Sequence, residues 1–180
     1  MRIADTLYAR CMSDSPIPVL RSMEELLLTA REFGLDALAV TDRNSLAGIA
    51  RAHKRAAEAG IRLVVGCRLD LRDAPSLLVY PTDRAAYARL CRLLSIGKSR
   101  AGKGACDLGW SDLEVLNEGL IAILLPERPL EALDDTLPAE LDRLRACFGD
   151  DRNGPRAWCA LTLERRPNDR ARLALSLIHI

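Results

Sequence analysis

The chain has 180 residues, of which 49% are hydrophobic and 28% charged, and its formal net charge is +1. That composition excludes a disordered, highly charged chain and fits a globular core. The small net charge excludes a global field for attracting nucleic acid, although a local basic surface stays open. Only 4% of the residues are aromatic, so the core must rest on Leu, Ala, Val and Ile.

The amino terminus, MRIADTLYAR, has no apolar segment of the secretory kind. No stretch approaches the roughly 18 consecutive apolar residues of a membrane span. The six cysteines, Cys11, Cys67, Cys91, Cys106, Cys147 and Cys159, form no C-x-x-C pair and no zinc-like spacing with histidine. A cytoplasmic protein with reduced thiols, no membrane association and mostly buried cysteines is expected.

In chain order, residues 1–10 offer a weak first strand, and 11–21, CMSDSPIPVLR, read as loop. Ser22 and Glu25 form a capping box for a helix to Phe33. Its apolar face is Met23, Leu26, Leu27, Ala30 and Phe33, and Gly34 ends it. A buried strand spans Leu35 to Thr41, followed by the polar turn Thr41-Asp42-Arg43-Asn44-Ser45. A helix from Leu46 to Ala59 stops at Gly60, and a second strand covers Ile61 to Gly66. This repeated helix–Gly–strand unit predicts parallel strands joined by a crossover helix.

Arg68–Leu71 and Ser76–Tyr80 read as a hairpin around Asp73-Ala74-Pro75. Thr82-Asp83 caps a helix over 84–96 that Gly97 is expected to end. Residues 97–109, GKSRAGKGACDLG, carry four glycines and three basic residues and read as a flexible loop. Ser111 and Glu114 predict another cap. Leu120–Leu125 is a strand stopped by Pro126, residues 126–138 read as mostly loop, and Pro138 opens a helix to Phe148. A turn cluster at 149–155, a strand over Ala157–Leu163 and a helix over 168–177 complete the reading. The tail at 175–180 looks foreign to the domain. The order predicts an α/β fold, with too few strands to close a barrel of about eight.

Asp42 holds the best position for chemistry, because ligands bind just past the carboxyl ends of parallel strands. It could be a metal ligand or general base, or simply a turn and helix cap. His53 reads as a helix-surface or packing residue, and His179 lies in the doubtful tail. With two histidines in the chain, a metal site would have to be carboxylate-rich or incomplete. The basic loop after Gly97 lacks phosphate-loop spacing. As a surface loop it could still touch a nucleic-acid backbone. Cys67 has no sequence neighbour that would make it a nucleophile.

The run LDALAVTDRNSLAGIARAHKRAAEAGIRLVVGCRLDL, with YPTDRAAYARLCRLLSIGKSRAGKGACDLGWSDL and EGLIAILLP, resembles the amino-terminal PHP domain of bacterial DNA polymerase alpha subunits, the error-prone branch above all. The resemblance spans 22–126 and extends over 157–175, whereas 1–21 match poorly. It implies one PHP-like domain over 1–180, a distorted β/α barrel incomplete in this chain, fused to a much larger polymerase. For that parent it implies DNA as partner, Mg²⁺ as cofactor, possible clamp or accessory repair partners, and translesion synthesis in DNA repair. The polymerase carboxylates would lie beyond residue 180, so no catalytic residue is expected here and the chain alone should not polymerise.

Metal-binding PHP domains open with H-x-H, but Tyr8–Ser15 contains no histidine. The next family histidine falls near Ser22 or Met23, T-D-H becomes Thr41-Asp42-Arg43, and the G-x-E glutamate falls on Arg68. Asp42 alone matches, as a remnant ligand position. Two arginines near a would-be metal put positive charge where cations should bind. No metal cluster is therefore expected, and no nucleic-acid-binding residue can be assigned. The alternatives are a free-standing metal-dependent phosphoesterase and a non-catalytic interaction module.

Overall fold

The computed structural model describes residues 23–126, 137–152 and 154–160. The expectations for residues 1–22, the Ser22 side of the first capping box, the end of the last strand, the final helix and His179 lie outside these residues. The described chain divides into two compact units. The first comprises 23–42 and 46–66, and the second 43–45 together with the described residues from 67 onward.

In the first unit, α1 (Met23–Glu32) leads to β1 (Ala37–Val40), α2 (Ile49–Ala59) and β2 (Arg62–Val65). The strands pair in parallel with Ala37 opposite Arg62 and Val40 opposite Val65, as the repeated helix–Gly–strand pattern predicts. Ile49, Ala52, Ala56 and Ala59 recur at helical spacing and are the buried face of α2. Ala56 and Ala59 pack with Leu27, Ala30, Leu38 and Ile61, while Ile49 and Ala52 pack with Val40. Gly60 closes α2 at φ +68°, with the Ile61 N–H returning to the Ala56 carbonyl, a left-handed cap that a Cβ would strain. Phe33 departs from the expected apolar face and is exposed, although its N–H still returns to the Thr29 carbonyl at 3.0 Å.

In the second unit, β3 (Cys67–Leu69), β4 (Leu77–Pro81), β5 (Leu120–Leu124) and β8 (Ala157–Cys159) form one sheet in that order. The first two pairings are antiparallel and β5–β8 is parallel. The expected hairpin is thus present. The barrel expectation is supported only as a mixed α/β fold, since no closed barrel forms among the described residues. β6 (Asp150–Asp151) and β7 (Gly154–Pro155) make a short ladder at the expected turn cluster.

Helices α3 (Arg84–Arg100), α4 (Trp110–Leu116) and α5 (Leu137–Phe148) complete the unit; α3 and α5 pack on the sheet and α4 packs on α3. Leu90, Leu93, Trp110, Leu113, Leu144 and Phe148 are buried among them. Asp83 caps α3, its carboxylate accepting from the Ala86 N–H at 2.7 Å. Arg156 draws the ends of three elements together, donating to the carbonyls of Asn117, Leu120 and Phe148.

Two expectations fail here. Gly97 does not end α3, which continues to Arg100. A Cβ on Gly97 would lie 2.6 Å from both Cys106 Sγ and Leu108 Cγ, so the glycine serves the close approach of the following loop. Nor do Ser111 and Glu114 cap α4. Asp112 Oδ2 accepts from the Gly109 N–H at 3.0 Å, while Glu114 accepts from the Trp110 indole at 2.8 Å.

Candidate functional site

Asp42 lies in the first unit, two residues past β1, and is exposed. Its Oδ2 sits where a Cβ on Gly48 would come within 2.8 Å. The Asp42 carboxylate thus lies against Gly48 at the start of α2, in space that a side chain there would share. His53 is exposed on α2, in keeping with a surface residue. Among the described residues, no three His, Cys, Asp or Glu side chains converge as a metal site would require.

The second unit contains a charge cluster built on the exit of β3. Asn44 adopts φ +47°, a left-handed conformation that asparagine tolerates. Its N–H donates to the Arg68 carbonyl at 2.8 Å, and its Oδ1 accepts from the Asp70 N–H at 3.0 Å. These bonds align residues 43–45 alongside β3, where Arg43 forms a parallel bridge with Arg68. Both guanidinium groups then reach one carboxylate. Arg43 Nε and Nη2 each lie 2.6 Å from Asp70 Oδ2, and Arg68 Nε lies 2.8 Å from Asp70 Oδ1. Ser76 closes the cluster, donating to Asp70 Oδ1 at 2.8 Å and accepting from Arg68 Nη2 at 3.0 Å.

Burial pushes the Asp70 carboxyl up, but the bonds from Ser76, Arg68 and Arg43 outweigh it and hold the group below the ordinary carboxylate value. The resemblance sets Arg43 and Arg68 at metal-ligand positions, and on that expectation the cluster bears on metal binding. A guanidinium has no acceptor lone pair and stays charged. Asp70 is held by both arginines. The donor set among the described residues does not fit a divalent cation.

Sequence reasoning missed Asp70 as a site residue. The i, i+2 spacing of Arg68 and Asp70 on a strand puts them on one face and was the available local signal; the partnership with Arg43 spans 27 residues and leaves none.

The cysteines are quiet. Cys67 is fully buried, with its thiol 3.6 Å from the Ser45 and Arg68 carbonyls. Burial pushes the Cys159 thiol up to about 11 and raises Cys147 and Cys106 as well, so these thiols stay protonated near neutral pH.

A PHP-domain family model matches residues 11–154. The chain belongs to the PHP-domain family. This PHP domain is 55% identical over 152 residues to error-prone DNA polymerase 1 of Agrobacterium fabrum, covering 84% of the chain and 13% of that polymerase. It is 44% identical over 172 residues to the error-prone DNA polymerase of Caulobacter vibrioides, covering 93% of the chain and 15% of the relative. The chain thus spans about an eighth of the length of the curated relatives it matches. A crystal structure of a provisionally assigned metal-dependent phosphoesterase from Bifidobacterium adolescentis shares the fold. It has a TM-score of 0.55 and 16% identity, over 88% of this chain and 78% of that one.

Proposed function

We propose that this chain is the PHP domain of an error-prone DNA-directed DNA polymerase and that its role there is structural rather than catalytic. The observation that carries the reading is the 55% identity to such a polymerase across 84% of the chain. In this reading the activity, translesion synthesis during DNA repair, belongs to the parent protein in the cytoplasm. The parent holds Mg²⁺ and binds DNA, and the remaining polymerase chain is the domain's first partner. Clamp or accessory repair proteins are further partners of the assembly. Among the described residues no helix is long and apolar enough to cross a membrane.

The domain itself holds no catalytic metal cluster in this reading. Support comes from Arg43 and Arg68, which bring permanent positive charge to two family ligand positions and spend it on Asp70. Asp42 is then a remnant whose remaining work is local. A free-standing phosphoesterase would need metal, so a Mn²⁺ or Zn²⁺ titration by calorimetry separates the two readings. The expected result is no saturable heat and no thermal shift. Tight binding of two or more ions would overturn the structural role. Sequencing the source locus past codon 180 tests the parentage: a reading frame that runs on into an Asp-bearing polymerase core is expected, and an immediate stop would sink the polymerase assignment for this molecule.

A further inference from the structure

Beside the Arg43–Asp70 cluster, wholly within the second unit, lies an open basin of about 640 Å³. Its charged lining is Arg43, Lys98, Lys103 and Asp70. Its volume is in the range of small-molecule sites, which run from roughly 300 to 1,000 Å³. We infer that this basin binds a phosphate group through Lys98, Lys103 and Arg43, an anion site where the family positions would suggest a cation site. The inference stands on this chain's geometry and is independent of the polymerase reading.

The charge balance comes first. The one lining carboxylate, Asp70, is already held by two guanidinium groups. Arg43 keeps 71% of its side chain exposed while paired. Among the described residues, Lys98 and Lys103 enter no ion pair, whereas nearby Arg72 and Arg100 are committed to Asp107 and Asp112. The field in the basin is therefore positive, although the chain as a whole is nearly neutral. The carboxyl-end dipole of α3 opposes an anion, and Lys98 and Arg100 in its last turn offset it.

Shape comes second. The loop wall is not a loose tether. The Asp107 N–H donates to the Gly97 carbonyl at 2.9 Å, and Cys106 and Leu108 pack where Gly97 has no Cβ. Ala105 N–H returns to the Gly102 carbonyl at 3.0 Å with Gly104 at φ +86°, so Lys103 sits at the corner of a tight turn. Nothing lies within 4 Å of where a Cβ on Gly102 or Gly104 would stand, which leaves the backbone of this wall bare to a ligand. Two lysines and an arginine lining one basin suit a compact, multiply charged oxyanion better than an extended apolar ligand.

The test is a titration of the full 180-residue chain with inorganic phosphate at low ionic strength, read by calorimetry and ³¹P NMR. One saturable site is expected. The double variant Lys98→Ala, Lys103→Ala removes two exposed side chains and should weaken binding about tenfold without changing the melt. Lys98→Arg with Lys103→Arg should restore it, and Lys54→Ala, a lysine lost from α2 in the other unit, should leave it unchanged. No saturable binding would overturn the inference, as would equal weakening by Lys54→Ala and the double variant. A deoxynucleoside monophosphate and an oligonucleotide without terminal phosphates then identify the source. Lysine-dependent binding of the monophosphate alone marks a free phosphate ester, and the same dependence for the oligonucleotide marks a nucleic-acid backbone.

Discussion

Two aspartates of this chain follow strands and live in opposite surroundings. Asp42, past β1, is exposed and lies against a glycine at the start of α2. Asp70, directly after β3, is bonded by Arg43, Arg68 and Ser76 and held charged. One is the residue that the resemblance sets at a ligand position, and no group of three His, Cys, Asp or Glu forms there among the described residues; the other gathers the charge. A place past a strand end supplies access to solvent and ligand, but the charges that converge there decide what the place can do.

The sharpest way to break this contrast is Arg68→Ala. It removes the Arg68 bonds to Asp70 and Ser76 and leaves a partly buried carboxylate with one arginine. A loss of about 2–3 kcal/mol is expected in urea unfolding. A loss no larger than that of an ordinary surface substitution would show that Arg43 and water satisfy Asp70 unaided.

Asp70→Asn is next, at about 1–2 kcal/mol near neutral pH, and it carries a pH signature. The folded Asp70 lies below its ordinary value of 3.8, so its contribution is complete above that value and disappears as the pH falls through the lower folded value. Urea midpoints measured at about pH 3 and pH 7 should therefore converge between wild type and variant on the acid side. A constant gap at both pH values would show that charge is not the cause.

On the other side of the contrast, Gly48→Ala should cost no more than about 0.5–1 kcal/mol, because its Cβ would meet Asp42 Oδ2 at 2.8 Å but that exposed side chain can turn aside. The same change made together with Asp42→Ala should cost clearly less. Equal costs in the two backgrounds would mean that the Asp42 contact is not what the glycine protects. The smallest effect belongs to Asp42→Asn, within about 0.5 kcal/mol by thermal melt, with no change in metal response.

Much of the local structure was legible because its signals are local. Ala37–Val40 and Arg62–Val65 each follow a helix, ended by Gly34 and Gly60 respectively, and they pair in parallel as that repeat predicts. The hairpin of β3 and β4 follows from two apolar runs around Asp73-Ala74-Pro75. What failed was local in appearance and tertiary in cause. Gly97 carries the signature of a helix end, yet it lies inside α3 because Leu108 and Cys106 need the space. Ser111-x-x-Glu114 matches a cap, yet the N-cap is Gly109, two residues earlier, and Asp112 takes the reciprocal role. At the site, the resemblance marked Arg43 and Arg68 as charges in cation positions. It had no means of pointing to Asp70, since the pairing depends on Asn44 turning the chain alongside β3.

Arg156 sets an order of events during synthesis. The carbonyls it gathers belong to Asn117, Leu120 and Phe148, all made before it. β5 likewise waits for Ala157–Cys159 to supply its parallel neighbour. A nascent chain that has reached only Gly149 thus carries helix ends and a strand edge whose partners are still inside the ribosome. Arg156 and the strand beside it then emerge together, within a few residues of one another.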